Sequence, residues 1–478
     1  MKTSHYIFLI LAIVLYPLSL FAQEGYEHLS PIAHGAGQTY VVTSRGLSAV
    51  GLNPALLGID DGNTIEVQIF PASTFGLDAG SSFSDVNALS GVFGTNISHF
   101  TDSSLTSIAN LMSNGKLSGR GDAEIFGVSY RVPEVGAFAL TWTTHAAVRS
   151  IIPDSFLLFA RNAEANLLTV PNNIDNFDLQ GMWYSEYSLS FGRTLEIGRD
   201  SSSFLKNISV GGAIKYVSGI AYLKVDNGNY IHTTPGNERV ILAVNFDEHS
   251  AYSSNFDPQH VPNRFSFNFL TTNSAGSGAG ADIGVCLGLW SNKHGTPTVL
   301  LGLSATDIGS ITWSQNATER IADHLTDTIN YGNVSRIQDV TDSLKKLSGT
   351  LKNVSSFTTP LPSMFRAGLM IDLDAMGFEW GAFAPRIAME YANGLTDLVG
   401  SLKSGRLGAG LTLERAGNIG MRLAGGIVIE SGSADLTLGF GITLFKFLNI
   451  DIASAHVGQF FKSGSKETDL ALGIRAAF

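Results

Sequence analysis

The strictest pattern in this sequence is the alternation of apolar with small or polar residues in its C-terminal third. Between positions 434 and 444, every second residue is large and apolar: Leu436, Leu438, Phe440, Ile442 and Leu444. The residues between them are Asp, Thr and Gly. Successive side chains of a β-strand point to opposite faces, and about ten residues are enough for a tilted strand to cross a bilayer. The segment therefore predicts a strand with one apolar face and one small or polar face.

Neighbouring segments repeat this pattern and are joined by short links. Residues 407–413 and 419–429 alternate in the same way, and Arg415-Ala416-Gly417 and Ser431-Gly432-Ser433 supply turn-forming residues. These three segments predict an up-and-down meander. The alternation recurs earlier in the chain, at 126–130, 138–142, 187–191, 208–216, 283–289 and 299–303. With weaker candidates included, we expect roughly fourteen strands, give or take about two.

The residues opposite the apolar face distinguish two all-β architectures. In a soluble β-sandwich that face meets bulk solvent, whereas here it carries mostly Gly, Ser and Thr. Such residues suit the filled or wet interior of a closed barrel. We therefore predict an all-β fold, a transmembrane antiparallel up-and-down β-barrel of about 14 strands over residues 63–478. A β-sandwich is the alternative.

Composition supports a barrel in lipid and excludes several classes of function. Only 15% of the residues are charged and 52 are Gly, whereas soluble domains carry about 25% charged residues. The net charge of −11 offers no basic surface for nucleic acid. The single Cys286 excludes internal disulfides and is expected to be a packed or lumen-facing residue. The His residues show no metal-ligand spacing, so we expect no metal, no cofactor and no catalytic residues.

Both ends of the chain carry features of an exported barrel. A basic start, an apolar stretch and Leu20-Phe21-Ala22 predict a cleaved export signal over residues 1–22. The alternative, a membrane-anchoring helix, is short and is interrupted by Pro17. The last segment, 469–478, alternates and ends in Phe478. It resembles the recognition strand of bacterial outer-membrane proteins, which implies that Phe478 is an assembly signal read by the barrel-insertion machinery.

Long irregular stretches separate several of the expected strands. They are rich in Ser, Asn, Asp and Thr, as extracellular loops of barrels are, and they cover 81–120, 150–182, 227–262 and 314–360. Within the last of them, Thr318 to Lys352 spaces its apolar residues at three, four or seven, which predicts a partly helical loop. That helix would pack on the strands, cap the barrel mouth or plug it.

Residues 23–62 precede the first expected strand and do not alternate. They are apolar and Gly-rich, with Gly35 and Gly37 early and Asn53-Pro54-Ala55 late. An Asn-Pro pair starts a turn, because the proline keeps Asn53 out of the helical region. A compact apolar segment directly before strand one is well placed to fold into the lumen as a plug.

The Asn53-Pro54-Ala55 run, preceded by Gly35-Ala36-Gly37, resembles the signature of the FadL-type long-chain fatty-acid transporter family. That family includes barrels from Bacteroidetes and the PorV-like proteins of type IX secretion. The stretch from Leu303 to Trp313 is similar to a strand-end motif of the Bacteroidetes branch. One departure is Ser48-Ala49-Val50-Gly51-Leu52, which stands where the family often has an acidic pair.

The resemblance implies a function as well as a fold. Asn53, Pro54 and Ala55 would form the core of a hatch, with Gly35 and Gly37 beside it. The hatch would gate passive uptake of a hydrophobic, fatty-acid-like ligand. Its setting would be a monomer in lipid, in the outer membrane of a Gram-negative bacterium of the Bacteroidetes. Two other functions stay open: a permanently plugged scaffold for surface or secretion proteins, as in the PorV-like members, and an outer-membrane hydrolase.

Overall fold

The computed structural model describes most of the chain after residue 29. The described residues are 30–78, 116–151, 178–198, 203–226, 230–233, 239–253, 274–292, 296–330, 350–378, 380–402, 405–430, 433–461 and 467–478. The export signal predicted for residues 1–22 lies outside them.

These residues form nineteen antiparallel strands in one sheet. In chain order they are β1 (Ile65–Asp78), β2 (Lys116–Val132), β3 (Gly136–Ile151), β4 (Asp178–Glu196), β5 (Leu205–Asp226), β6 (Tyr230–Thr233), β7 (Arg239–Tyr252), β8 (Gly276–Ser291), β9 (Pro297–Trp313), β10 (Thr318–Asn330), β11 (Thr350–Asn353), β12 (Phe357–Pro360), β13 (Met364–Asp372), β14 (Ala384–Gly394), β15 (Arg406–Arg415), β16 (Ile419–Glu430), β17 (Ser433–Leu444), β18 (Leu448–Ser454) and β19 (Glu467–Ala477).

Fourteen of the strands close into a ring. The ring runs from β1 to β5, continues through β8 and β9, and returns through β13 to β19. Pairing of β1 with both β2 and β19 closes it. Closure matters because a barrel has no unpaired edge, and lipid offers no hydrogen bonds to an open one. The predicted antiparallel barrel of about 14 strands is confirmed.

The other five strands extend the wall beyond the ring. β7 pairs with Ala221–Asp226 at the end of β5, and β10 pairs with β7. The helix predicted from Thr318 is therefore wrong for Thr318–Asn330, which is β10; residues 331–349 lie outside the described part. The apolar residues Ile321, Leu325 and Ile329 follow one another at a spacing of four, which is also a helical spacing. In the sheet, the register with β7 shifts between Ala322 and Leu325, so this spacing does not mark one face of the strand.

The two faces of the wall differ as the alternation predicts. Large apolar residues point outward and are exposed, among them Ile214, Ile283, Leu303, Leu436 and Leu438. The side chains between them point inward and are buried, among them Thr141, Ser188, Ser190, Ser209 and Thr437. A continuous apolar outer surface is a liability in water and a requirement in lipid. The protein is thus an outer-membrane β-barrel.

The two ends of the barrel are unlike. At one end, here called the turn end, short links such as Val132 to Gly136 and Leu444 to Leu448 join the strands. The opposite end, the loop end, carries the long connections and the five extra strands. In barrels of this type the short turns face the periplasm. Exposed aromatic rings surround the turn end, as at a membrane interface: Tyr130, Phe138, Phe204, Phe445, Phe447 and Phe478.

Residues 30–62, the N-terminal segment, precede β1. They contain helices α1 (Pro31–Gly35) and α2 (Tyr40–Thr43) and the 3-10 helices Gly46–Ala49 and Pro54–Gly58; another 3-10 helix is Val457–Phe461. No helix in the described ranges is long and apolar enough to cross a membrane. The segment is almost entirely buried and contacts the inner side of most ring strands.

Candidate functional site

Asn53 ties together two parts of the N-terminal segment. Its side chain is fully buried; Nδ2 donates to the carbonyl of Val41 at 2.9 Å, and Oδ1 accepts from the backbone N–H of Ala55 at 3.2 Å. Asn53 is extended at φ −152°, as the following proline requires, and Pro54 starts the 3-10 helix. The predicted Asn-Pro-Ala motif is therefore a helix cap that also fixes α2.

The barrel wall is glycine-lined where the motif contacts it. A methyl group at Gly284 of β8 would overlap the Asn53 side chain, and one at Gly211 of β5 would overlap the backbone of Pro54. Gly192 of β4 faces the same proline carbonyl. The small inward residues of the alternation thus leave room for the backbone of the N-terminal segment.

Gly35 and Gly37 contact a different part of the wall. Gly35 lies on the backbone of Gly439 in β17, and Gly37, at φ +71°, lies on the backbone of Ala409 in β15. The hydroxyl of Thr437 donates to the Gly35 carbonyl at 2.7 Å and accepts from the Gly37 N–H at 2.9 Å. The structure therefore places Asn53, Pro54 and Ala55 against one part of the wall, and Gly35 and Gly37 against another. The two groups do not form one pocket.

Charged wall residues hold the N-terminal segment, and none of them was predicted from the sequence. The carboxylates of Glu390 and Glu66 accept the backbone N–H groups of Val41 and Leu47, each at 2.6 Å. The guanidinium of Arg131 donates to the carbonyls of Leu57 and Ile59 at 2.9 and 2.6 Å, at the other end of the segment. Charged residues on the inward face were the available signal, but their partners are far away in sequence.

A cavity of 1690 Å³ opens at the turn end below the N-terminal segment. Arg45, Asp60 and Asp61 of the segment line it, together with wall residues such as Arg386 and Glu414. Arg386 donates to Glu414 at 2.8 Å and to Asp372 at 3.0 Å. This cavity, the vestibule, has many charged side chains in its lining.

A buried charge cluster lies on the other side of the N-terminal segment. Nζ of Lys215 in β5 is 2.6 Å from Asp307, 2.9 Å from Asp282 and 3.2 Å from Glu186. Asp307 is at φ +58°, where the register between β8 and β9 shifts, and its N–H donates to Asp282 Oδ1 at 2.8 Å. Asp tolerates this conformation better than most residues. The strand-end motif noted in the sequence therefore contains a bulge that turns a carboxylate inward.

An apolar cluster fills the lumen beyond these charges, towards the loop end. Its large members, the loop-end cluster, are Met182, Tyr184, Val217, Tyr222, Ile311, Trp313 and Leu361. The Trp313 ring packs over Gly219, and its Nε1 donates to Thr359 at 2.9 Å. Val217 lies opposite Glu186 in the sheet register. The apolar cluster and the charge cluster are therefore direct neighbours.

Two further pairs of titratable side chains, and the single cysteine, are buried inside the barrel. His145 bonds Asp122 at 2.6 Å, and His34 bonds Asp469; all four side chains are buried. Cys286 is buried against the N-terminal segment, as its sequence context predicts.

On the extra strands, Asp247, His249 and Glu319 bring their ligand atoms within 4.8 Å of one another. Lys224 lies opposite His249 in the sheet, and Lys352 lies opposite Glu319. Positive charge is therefore already present beside the two carboxylates.

Comparison with known proteins gives one family and several distant folds. Residues 60–424 match the model of a family of unknown function, DUF5723. A search of curated proteins finds no match. Among solved structures, a FadL homologue from Pseudomonas aeruginosa is 9% identical, with 95% of this chain and 99% of that chain covered and a TM-score of 0.42.

Two further solved structures are more distant in shape. The toluene transporter TodX from Pseudomonas putida is 11% identical, covering 96% of this chain and 98% of that one, with a TM-score of 0.38. The translocator domain of NalP from Neisseria meningitidis is 10% identical, covering 87% and 90%, with a TM-score of 0.30. Likeness at these values carries no conclusion about function. By its matching family model, the chain belongs to the family of unknown function DUF5723.

Proposed function

We propose that this barrel takes up a hydrophobic small molecule passively, through a lumen gated by the N-terminal segment. The order of groups along β5 carries the proposal. Asn207 lines the vestibule, Gly211 lies against Pro54, and Lys215 holds the charge cluster. Val217 and Tyr222 then belong to the loop-end cluster. The polar vestibule, the N-terminal segment, the charge cluster and the apolar cluster thus follow one another along a single strand. We assign ligand entry to the apolar cluster and exit to the vestibule, with the N-terminal segment as the barrier between them.

An apolar entrance is sufficient to bind such a ligand without chemistry. Transfer of an alkyl chain out of water yields about 0.8 kcal/mol per CH₂. The barrier is held by hydrogen bonds, by contact with glycines and by apolar side chains such as Leu47 and Leu57, which pack against small wall residues such as Ala137 and Ala139. Rearrangement of the N-terminal segment therefore requires no disruption of the barrel itself. The sequence resemblance to FadL-type transporters agrees with this order. The proposal includes a monomeric barrel in the outer membrane of a bacterium of the Bacteroidetes.

A second function is favoured by a different observation. The N-terminal segment is held at many points by buried charged groups, such as Glu390 on Val41 and Arg131 on Leu57. A permanently fixed plug would use such contacts, and the barrel would then be a scaffold for surface or secretion proteins.

A reversible tether separates the two functions. Val41 in α2 packs directly against Gly368 in β13, so Val41→Cys with Gly368→Cys offers the short Cβ–Cβ separation that a disulfide needs. The native Cys286 is buried and should not interfere. In vesicles, we expect the oxidised double variant to block uptake of a labelled alkane and reduction to restore it. Equal uptake in both states, or none in the wild-type protein, would favour the scaffold.

A second variant tests the motif itself. Asn53→Ala with Pro54→Ala removes the cap and the bond to Val41, and we expect it to change the uptake rate while the barrel still assembles. Asn316→Ala is the matched control, because Asn316 bonds Tyr252 on the exposed extra strands. Unchanged uptake in the Asn53 variant would remove this motif from the gate.

A further inference from the structure

The charge cluster around Lys215 is not neutral. Three carboxylates, from Glu186, Asp282 and Asp307, surround one ammonium group, and all four side chains are buried. Within the described residues, Oε2 of Glu186 and Oδ2 of Asp282 accept no hydrogen bond. Buried acceptors without a donor are costly, so they mark a place where a donor or a cation is missing.

The rest of the lumen has the same sign. Among the described residues, the buried charged side chains comprise eleven carboxylates against six lysines and arginines. The vestibule lining adds six further carboxylates against five arginines, since Glu66, Asp372 and Asp451 belong to both sets. The formal charge of the described lumen residues is therefore negative in sum, which favours a cation over an anion.

Aromatic residues stand next to the negative charge. Tyr184, Tyr222 and Trp313 belong to the loop-end cluster, and the rings of Tyr222 and Trp313 are 5.3 Å apart. Leu361 and Lys215 both pack against Gly280, so the apolar side chains begin where the charges end. An apolar aromatic cluster beside unsatisfied carboxylates matches a molecule with an alkyl or aryl body and a positively charged head.

We propose that the hydrophobic ligand of this barrel is an amine, bound with its apolar part in the loop-end cluster and its ammonium group at Glu186 and Asp282. This inference rests on the proposed uptake function and names its ligand class. An alkyl carboxylate of the same length is disfavoured, since its head would be desolvated beside three like charges.

Three ligands of equal chain length isolate the head group: dodecylamine, dodecanol and dodecanoate. Calorimetric titration of the whole protein in a neutral detergent at neutral pH should show the amine binding at least about tenfold more tightly than the carboxylate. The alcohol should lie between them. Equal affinity for all three, or preference for the carboxylate, would overturn the amine proposal and leave hydrophobic uptake standing. If none of the three binds, the uptake proposal fails as well.

Charge-neutralising variants localise the effect. Glu186→Gln and Asp282→Asn keep the shape of the side chain, and each should reduce the preference for the amine severalfold. Asp60→Asn is the control, because Asp60 is exposed at the turn end and the substitution removes the same charge. An equal loss in all three variants would assign the preference to net charge and contradict the proposed site. The wild-type affinity order does not depend on the folding of any variant.

Discussion

Gly35 of α1 lies directly on Gly439 of β17, with no side chain between the two backbones. Neither position tolerates a methyl group without a shift, because the Cβ atom of an alanine at Gly35 would overlap the backbone of β17. The same holds for Gly37 against Ala409. The glycines opposite the apolar face are thus more than lumen filler, since they form the surface on which the N-terminal segment rests.

Gly35→Ala should loosen the N-terminal segment and leave the barrel intact. Overpacking costs roughly 1–3 kcal/mol, and here the wall strand cannot move without breaking its own ladder. Gly37→Ala should cost more, because φ +71° adds backbone strain to the overlap. Limited proteolysis of the folded protein in detergent measures the exposure of residues 30–62, and both variants should be cleaved faster there.

Gly62→Ala is the matched control for these two variants. Gly62 is at φ +85°, but no atom lies within 4 Å of a methyl group added there. It therefore tests backbone strain without overlap. If Gly62→Ala raised cleavage as much as Gly35→Ala, contact with β17 would not be what holds the segment.

The wall could be predicted from the sequence because the alternation within each strand is a local pattern. Alternation of the type seen between Leu436 and Leu444 depends only on which side of the strand meets lipid. The same reasoning failed at Ile321, Leu325 and Ile329, whose spacing of four is typical of a helix, because a register shift between Ala322 and Leu325 interrupts the alternation of the strand. Pairing with β7 makes this segment a strand, and its partners lie far earlier in the chain, from Ser250 opposite Thr318 to Arg239 opposite Asn330.

The site could be predicted only in part, for a related reason. Asn53, Pro54 and Gly37 carry local constraints, a cap and a positive φ, which a sequence displays directly. The charges at Lys215, Asp282 and Asp307 do not, because they meet only when β5 pairs with β8, a strand separated from it by a long stretch of sequence. Of these three residues, only Asp307 lies in a segment that the sequence singled out, the Leu303 to Trp313 motif.

Lys215→Met should destabilise the barrel strongly. The substitution keeps the volume but leaves Glu186, Asp282 and Asp307 without their cation. Breaking a buried ion pair on one side typically costs about 3–5 kcal/mol. Folding into lipid vesicles followed by urea titration measures the change. Adding Asp282→Asn and Asp307→Asn to Lys215→Met should recover much of the loss; no recovery would mean that packing, and not charge, accounts for it.

Ile214→Lys should destabilise the barrel in lipid by about 2–4 kcal/mol, the cost of a lysine near the bilayer midplane. Ile214 is 68% exposed on the outer face in the middle of β5. Ile321→Lys is the control, because Ile321 is also exposed but lies on β10, beyond the ring. The same urea titration should show little change for Ile321→Lys. Equal effects of the two substitutions would argue against lipid around the ring.

Phe478→Ala should reduce the amount of folded barrel in membranes. The Phe478 ring stacks on Phe447 with centroids 5.3 Å apart, and its backbone N–H donates to the Ile65 carbonyl at 2.8 Å where the ring closes. Loss of one such ring contact is worth about 0.5–1.5 kcal/mol. Gel migration of unheated membrane fractions, in which a folded barrel runs differently from an unfolded one, gives the folded fraction.

Phe447→Ala separates packing from recognition at this position. It removes the same ring contact from the other side and keeps Phe478 in place. If Phe478 is an assembly signal, as the terminal strand implies, then Phe478→Ala lowers the folded fraction well below that of Phe447→Ala. Refolding of both purified variants into detergent should then be similar, because no insertion machinery takes part. Equal losses in the membrane fractions would assign Phe478 to packing at the turn end, with no separate part in assembly.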